Sequence, residues 1–264
     1  MQMVGRNLKL IFSYLKLNML KELEYKTSFI LKVIMMILND AFFILQWYII
    51  FNIVDNIAGY DFNDVILIWG LSAGSYGVAH VLFGNAFHID EMVHEGRLDV
   101  YLTQPKNVLI NICSSSSSVS AIGDILYCFV ALFIIGAPWW WFVVIIPVII
   151  LGALIYVGCI VTFQSLSFYV KRGGAVAEMI SSACTLFGTY PGAIFTGFSK
   201  IVLYTIIPVG FMIFTPAEYI FMSFNIYAVL IFIAVTIFWV IMAFITFNTG
   251  LRKYNSGNLM GGRF

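Results

Sequence analysis

Charged residues are scarce in this chain of 264 residues. Asp, Glu, Lys and Arg together make up 10% of the sequence, whereas soluble globular domains carry about a quarter. Hydrophobic residues make up 61%, and the mean hydropathy is +0.96. A water-soluble fold could not bury that much apolar surface. The composition therefore excludes an ordinary soluble enzyme and predicts an all-α integral membrane protein.

The motif for ATP hydrolysis is also missing. A P-loop needs G-x-x-x-x-G-K-[ST] to wrap phosphate, and the sequence contains no Gly-Lys dipeptide. The zinc-hydrolase motif H-E-x-x-H does not occur either. We therefore expect no catalytic residue, no enzymatic activity and no cofactor bound by this chain. If ATP drives the protein, the motor must be another polypeptide.

Metal-binding patterns are absent as well. The four cysteines are widely spaced in apolar stretches and form no C-x-x-C pair, so we interpret them as packing residues. The three histidines lack the i, i+4 spacing that places two ligands on one helical face. We expect no metal site and assign the carboxylates near these histidines to a solvated helix. The residues concerned are His80, His88, His94, Asp90, Glu91 and Glu95.

Long apolar stretches are the main feature that is present. A helix needs about 20 residues to cross a bilayer. Six stretches reach that length, and we assign them to six membrane-spanning helices within a single domain over residues 1–264. They run near 28–53, 63–86, 108–137, 142–170, 176–198 and 223–249.

The basic residues predict the orientation. Of the 14 Lys and Arg residues, only Lys200 falls on the opposite side from the others in the six-helix arrangement. Since cytoplasmic loops are enriched in Lys and Arg, both termini should be cytoplasmic. Trp139, Trp140 and Trp141 then lie at the outer boundary, where aromatic rings favour the headgroup region.

Two further segments depart from simple spans. Residues 5–25 have the pattern of an amphipathic interfacial helix, with a cytosolic helix packed on a partner as the alternative. Its apolar face comprises Leu8, Ile11, Phe12, Leu15, Met19 and Leu23. Residues 199–222 are apolar but contain Pro208 and Pro216, which interrupt a helix. We predict a broken re-entrant hairpin there, entering and leaving on the outer side.

Three short motifs carry a resemblance. Residues 95–107 read EGRLDVYLTQPKN and contain a G-x-[hydrophobic]-D-x-Y-L-x-x-P pattern. Tyr190-Pro191 precedes the proline-broken stretch, and residues 250–256 read GLRKYNS. In this order the motifs resemble the type-2 ATP-binding-cassette permease superfamily, specifically a family of bacterial export permeases of unassigned substrate.

The resemblance implies a role. It implies a six-helix half-transporter in the bacterial cytoplasmic membrane that pairs with a second, identical or related permease. It also implies separate cytoplasmic ATPase subunits, which would hold ATP and Mg²⁺ and drive export. The alternative is a secondary transporter or channel that works without ATP and uses Asp40 and Asp124 as proton or ion sites.

The connection 88–107 is predicted to be the coupling segment that contacts the ATPase. It is the longest loop assigned to the cytoplasm, and Gly96 and Pro105 should bound a short stiff element within it. Apolar side chains should supply the contact and charged ones the orientation. The alternative is a segment that merely lies on the membrane surface. The candidates are Glu91, Glu95, Gly96, Arg97, Leu98, Asp99, Tyr101, Leu102 and Pro105.

Polar residues inside the spans are the remaining candidates. Asp40 and Asp124 fall near the middle of the first and third spans, where a charge costs at least about 2.5 kcal/mol. We expect these two residues either to line a substrate path or to make a hydrogen-bonded contact between helices. The serine run from Ser114 to Ser118 should present hydroxyls around the whole third helix, for close packing or for a polar path.

Overall fold

The computed structural model describes residues 2–171 and 173–254, and it is helical. The described part contains no β-strand, only an isolated bridge between Ile57 and Tyr60. Eleven α-helices occur in these residues: α1 Gln2–Glu24, α2 Lys26–Phe51, α3 Phe62–Phe83, α4 Ile89–His94, α5 Asp99–Leu102, α6 Val108–Ser114, α7 Ile122–Ile134, α8 Trp139–Gln164, α9 Gly173–Phe187, α10 Phe198–Thr205 and α11 Ile226–Leu251.

Four helical segments in the described residues are long and apolar enough to cross a membrane. They are Lys26–Phe51, Phe62–His94, Trp139–Phe168 and Ile226–Leu251. Two bent pairs raise the number to six if each pair is one span. The predicted fifth span overlaps a helix of 15 residues, α9, which is about 22 Å long at 1.5 Å per residue. The all-helical membrane architecture is therefore confirmed at the level of four to six spans.

The third predicted span is not one continuous helix. The prediction that the serine run presents its hydroxyls around a helix was therefore wrong. Helices α6 and α7 are bent by 79° at a break, and residues 116–118 are not helical. The backbone of this break packs against Gly84, and the Ser118 amide donates to the His80 carbonyl at 3.0 Å. Serine side chains compete for backbone hydrogen bonds, which favours such a break over a continuous helix.

Helix α3 lies at the centre of the bundle, packed between α7 and α8. Its glycines allow that packing, because a Cβ atom at Gly70 would lie 2.9 Å from the Ala131 side chain of α7. A Cβ atom at Gly77 would lie 2.7 Å from the carbonyl oxygen of Ala121. Small residues let helices approach closely in membranes. The cysteines are all buried and free, as expected for packing residues.

Helix α2 differs from α3 because most of its surface is exposed. Its buried residues are Asp40 and Trp47. Helix α1 precedes it after a single residue, Tyr25, and lies across α6 with exposed apolar side chains that include Leu8 and Phe12. Tyr14 of α1 donates a hydrogen bond to Asn111 Oδ1 at 2.8 Å.

The two ends of the bundle are defined by their side chains. We call the end that contains Trp139, Trp140 and Trp141 the tryptophan end, and the opposite end, with α4 and α5, the coupling end. At the tryptophan end Trp141 packs edge-on against Phe221 with ring centroids 5.0 Å apart. The Tyr60 hydroxyl there donates to the Glu218 carboxylate.

Candidate functional site

An acidic cavity of about 220 Å³ lies inside the bundle between α2, α3, α7 and α9. Asp40 from α2 and Asp124 from α7 both line it, although they are far apart in the sequence. They are buried, with 4% and 5% of their surface exposed. The other lining residues are Met36, Asn39, Trp69, Ser72, Ala73, Tyr76 and Thr185. The structure thus brings the two predicted acidic residues into one site.

The lining of this acidic cavity is mostly apolar, and two of its polar atoms have no hydrogen-bond partner in the part of the chain that the structure describes. Asp124 Oδ2 and the indole nitrogen of Trp69 are buried without a hydrogen bond to any described residue. Buried polar groups are normally paired, so each exception needs an explanation. No Lys, Arg or His is among the described residues that line the cavity. The carboxylates therefore have no cationic side chain beside them.

The two serines considered for close packing or for a polar path, Ser114 and Ser118, lie elsewhere. Ser114 is buried at the end of α6, and its hydroxyl has no partner among the residues that the structure covers. Ser118 is exposed, and its hydroxyl lies 3.2 Å from that of Ser120. Neither serine lines the acidic cavity, which uses the hydroxyl-bearing Ser72 of α3 instead. Sequence reasoning missed Ser72 because it looks like an ordinary small residue of an apolar span.

One hydrolase-type pattern does occur in the sequence, since residues 70–74 read GLSAG and match G-x-S-x-G. A nucleophile elbow needs a strained turn between a strand and a helix, with the serine exposed. Residues 70–74 instead lie inside helix α3, and Ser72 is 7% exposed. The local geometry of a nucleophile elbow is therefore missing.

The coupling end contains the second candidate site, formed by residues 88–107. Helix α4 ends at His94, Gly96 turns the chain with a φ of +71°, and α5 follows at Asp99–Leu102. A positive φ is easily adopted by glycine. Residues 103–106 then form turns before α6. The predicted short element between Gly96 and Pro105 is present.

The apolar residues of this segment divide between its interior and its surface. Leu98 is fully buried within the chain, so it cannot be the surface anchor that the sequence suggested. Tyr101 is half-buried, and its hydroxyl donates to Ser115 Oγ at 3.0 Å. Leu102 is 41% exposed. Val100, a residue that sequence reasoning did not select, is 64% exposed. The exposed apolar surface of α5 is therefore Val100 and Leu102.

The charged residues of the segment lie on its exposed side. Arg97 Nε lies 2.6 Å from Glu95 Oε2, and Arg97 also approaches Glu91 at 3.4 Å. These ion pairs fix the side chains around Gly96 but contribute little stability, because all three groups are exposed. Pro105 accepts a hydrogen bond from Arg6 at 3.3 Å. No group of three or more metal-binding side chains occurs in residues 2–171 and 173–254.

Asp90 ties this segment to the two neighbouring helices. Its backbone amide donates to Gln164 Oε1 at 2.9 Å, at the end of α8. Its carboxylate accepts the amide of Gly174 at 3.2 Å, at the start of α9. A carboxylate at a helix N-terminus pairs with free amides and with the helix dipole. Asp90 thus connects α4 to the end of α8 and to the start of α9.

The C-terminal motif meets the coupling segment in space. Gly250 packs against Phe168 so closely that a Cβ atom would lie 2.3 Å from the ring. Tyr254 packs edge-on against the same ring at 6.3 Å. Burial and the adjacent Asp99 carboxylate raise the pKa of Tyr254 to about 12, so its hydroxyl stays neutral. Arg172, Asn255, Ser256 and Arg263 lie outside the described residues.

The predicted hairpin residues gather near the tryptophan end. Tyr190 contacts Trp47 edge-on at 6.1 Å, and the buried Pro191 precedes Gly192, which packs on the Phe214 ring. Helix α10 and residues 210–222 are bent by 79°. Pro208 lies in that bend, and Pro216 separates two π-helical turns, Gly210–Phe214 and Ala217–Met222. Proline and π-helical turns are usual causes of such distortions.

The sequence was also compared with known proteins. It matches the model of a family described as ABC-2 family transporter protein over residues 29–257. No curated protein and no solved structure gives a significant match. The family match covers all six predicted spans except residue 28, the first residue of the first span. It confirms the resemblance carried by the three motifs. The chain therefore belongs to the ABC-2 family of transporter proteins and is an ABC-2 type permease of a membrane transporter.

Proposed function

We propose that this chain is the permease subunit of an ATP-driven exporter in the bacterial cytoplasmic membrane. It forms the substrate pathway with a second permease, and separate cytoplasmic ATPase subunits, which hold ATP and Mg²⁺, move it. The observation that carries this proposal is the arrangement of α4 and α5. An exposed apolar pair, Val100 and Leu102, lies on α5, and Asp90 of the preceding helix α4 contacts the end of α8 and the start of α9.

Mechanical coupling follows from these contacts. A push on α5 cannot be absorbed locally, because Leu98 is buried and the Tyr101 hydroxyl is hydrogen-bonded to Ser115. It would pass through α4 to the end of α8 and to the start of α9, and Thr185 of α9 lines the acidic cavity. The force of an ATPase at the coupling end would thereby reach the acidic cavity. The ATP-independent alternative is not favoured by the family match.

The membrane arrangement belongs to the same proposal. Six crossings place both termini in the cytoplasm, and residues 199–222 form a re-entrant hairpin at the outer side. Helix α1 lies in the membrane interface. The exposure of its apolar side chains supports this, because Leu8 and Phe12 are 51% and 64% exposed beside the face that packs on α6. Exposed apolar side chains next to basic ones are typical of an interfacial helix.

Site-directed crosslinking tests the coupling role. The four native cysteines are buried, so single cysteines can be introduced into the native chain. Val100→Cys and Leu102→Cys should each form a crosslink to an ATPase subunit that carries a P-loop. Ser199→Cys, exposed in α10, is the matched control and should form none.

A second arm of the same experiment measures function. The double variant Val100→Ala and Leu102→Ala should lower ATPase activity that depends on the permease by about tenfold, because a central apolar contact is worth 1–2 kcal/mol or more. The amount of permease in the membrane should not change, since both side chains are exposed. Unchanged coupling together with absent crosslinks would refute the proposal.

A further inference from the structure

We propose that the acidic cavity binds the ammonium head group of an amphiphilic cation, which enters from a groove at the elbow between α1 and α2. This inference rests on the proposed function, because the cation would be the cargo of the exporter. It assigns a substrate class to a chain for which only the transporter family is shown.

The charge of the cavity is the first argument. Asp40 and Asp124 line one cavity of about 220 Å³, and no Lys, Arg or His lies among its described lining residues. An unpaired carboxylate at membrane depth is costly, and it is stabilised by a nearby opposite charge. Asp124 Oδ2 has no hydrogen-bond donor among the described residues. An ammonium group supplies one positive charge, which the two carboxylates would share.

The aromatic wall is the second argument. Trp69 and Tyr76 line the same cavity as the two carboxylates. Trp69 is held in place by stacking on Phe43 at 4.2 Å and by edge contact with Tyr127 at 6.2 Å. Aromatic faces attract ammonium groups, most strongly when water is excluded. Aromatic side chains are a known recognition element for quaternary ammonium groups, and here two of them line the same cavity as the two carboxylates.

The size of the cavity limits what it holds. Pockets that enclose a whole ligand have volumes of roughly 300–1,000 Å³. A cavity of about 220 Å³ therefore suits a head group and leaves the apolar remainder of the molecule outside it. That remainder would lie against the apolar, exposed surface of α2, where Leu31 and Met35 are 57% and 64% exposed.

The elbow groove supplies a route to the cavity. It is open, has a volume of about 1050 Å³ and includes Lys26, Lys32, Met36 and Ser120 among its lining residues. Met36 lines both the groove and the acidic cavity. It packs on Gly123, where a Cβ atom would lie 3.1 Å from the Cγ atom of Met36. Methionine is flexible, so this side chain can move aside.

The charges in the groove do not bar a cation. Lys32 is paired with Glu22 at 3.0 Å, and Glu24 lines the groove close to Lys26 in the sequence. The groove therefore carries balanced charge, whereas the cavity beyond Met36 carries only acidic groups among the described residues. A cation in the groove is drawn inward by this difference.

Equilibrium binding to the purified permease tests the site. The full chain is placed in phosphatidylcholine nanodiscs without ATPase and titrated with radiolabelled dodecyltrimethylammonium, with dodecanol as the neutral probe of equal chain length. Partitioning into empty nanodiscs is subtracted. The native chain should bind the ammonium probe saturably and dodecanol only by partitioning. Asp124→Asn should weaken binding of the ammonium probe about tenfold, a loss of 1.4 kcal/mol.

A matched variant and a second readout separate binding from folding. Asp55→Asn, in the exposed loop after α2, should bind as the native chain does. In Met36→Cys, which keeps both carboxylates, the ammonium probe should slow alkylation of the introduced thiol and dodecanol should not. Native-like binding in the Asp40→Asn, Asp124→Asn double variant, or equal saturable binding of dodecanol, would overturn the proposal. The assay contains no ATPase, so its failure leaves the exporter assignment to the crosslinking experiment.

Discussion

At the scale of single residues, the coupling end depends on glycines that allow aromatic and acidic side chains to approach the backbone. Gly250 faces Phe168, and Gly174 faces Asp90, where a Cβ atom would lie 2.3 Å from the carboxyl carbon. Distances below 3 Å cannot be accommodated without movement of the neighbour. The first of these pairs gives a prediction of stability, because Phe168 also packs against Phe247 and Tyr254 and has little room to move.

Gly250→Ala should lower the stability of the purified permease by about 1–3 kcal/mol, the usual cost of overpacking a well-packed site. The measurement is the midpoint of thermal unfolding in detergent at one fixed scan rate. Gly5→Ala is the matched control, since a Cβ atom at Gly5 meets nothing within 4 Å. Because Ala is a better helix former, this control should be neutral or slightly stabilising. An equal midpoint for Gly250→Ala and the native chain would contradict the close contact with Phe168.

Ser115 is a second residue whose importance only the structure reveals. Its hydroxyl accepts hydrogen bonds from Asn85 at 2.8 Å and from Tyr101 at 3.0 Å, and it donates to the Ile112 carbonyl at 2.7 Å. A serine hydroxyl has one donor and two acceptor sites, so every site is used. Ser115 thus joins α5 to the end of α3 and to α6.

Ser115→Ala should reduce stability by about 1–3 kcal/mol, because two half-buried donors lose their acceptor. It should also loosen α5, which hydrogen exchange of the amides of residues 99–102 can measure. Ser116→Ala is the control, because Ser116 is exposed and lies next to Ser115 in the same run. Equal exchange protection of α5 in the two variants would show that the Ser115 hydroxyl does not hold this helix.

At the scale of elements, the sequence was informative where a pattern has one local meaning. Apolar length identified the long helices, and Gly96 with Pro105 bounded a short helix. The serine run was misjudged, because its break depends on contacts with Gly84 and His80 that are distant in sequence. The burial of Leu98 could not be predicted either, since an apolar residue in a short loop packs inward or outward according to its neighbours.

The same limit applied to the acidic site. Asp40 and Asp124 attracted attention because charges are rare in apolar spans, but 84 positions separate them. That they share a cavity with Trp69, Ser72 and Tyr76 follows from the packing of α2, α3 and α7. Sequence patterns identified the acidic members of the site and missed the aromatic ones, because Trp and Tyr are frequent in a chain with 17% aromatic residues.

At the scale of the whole molecule, the directions of α8 and α11 limit how the chain crosses the bundle. Trp141, at the start of α8, packs against Phe221, shortly before α11 begins. Phe168, just after α8, packs against Phe247 near the end of α11 at 5.6 Å. The two helices therefore run in the same direction. The chain between them must make one net crossing back, from the coupling end to the tryptophan end.

The contacts of α9 indicate which part makes that crossing. Its first turn meets Asp90 at the coupling end, and Tyr190, just after it, reaches Trp47 near the far end of α2. At that end of α2, the ring centroids of Phe51 and Phe62 lie 6.1 Å apart. Phe62 follows Tyr60, which contacts Glu218 at the tryptophan end, so this end of α2 lies at the tryptophan end as well. Residues 190–222 then begin and end on one side, which supports a re-entrant hairpin over a seventh crossing.

Cysteine labelling in intact cells tests this topology. Ser199→Cys and Ser223→Cys are both exposed positions at the two ends of the hairpin, and both should react with an impermeant maleimide added outside. The native cysteines are buried, so the unmodified chain should give little background. Thr103→Cys, exposed at the coupling end, is the matched control and should react only after the cells are permeabilised.

Because α8 and α11 are parallel, labelling of one hairpin end from each side would require α9 to be the re-entrant element. The cytoplasmic position of the coupling segment is tested separately, since external labelling of Thr103→Cys would reverse the orientation inferred from the basic residues.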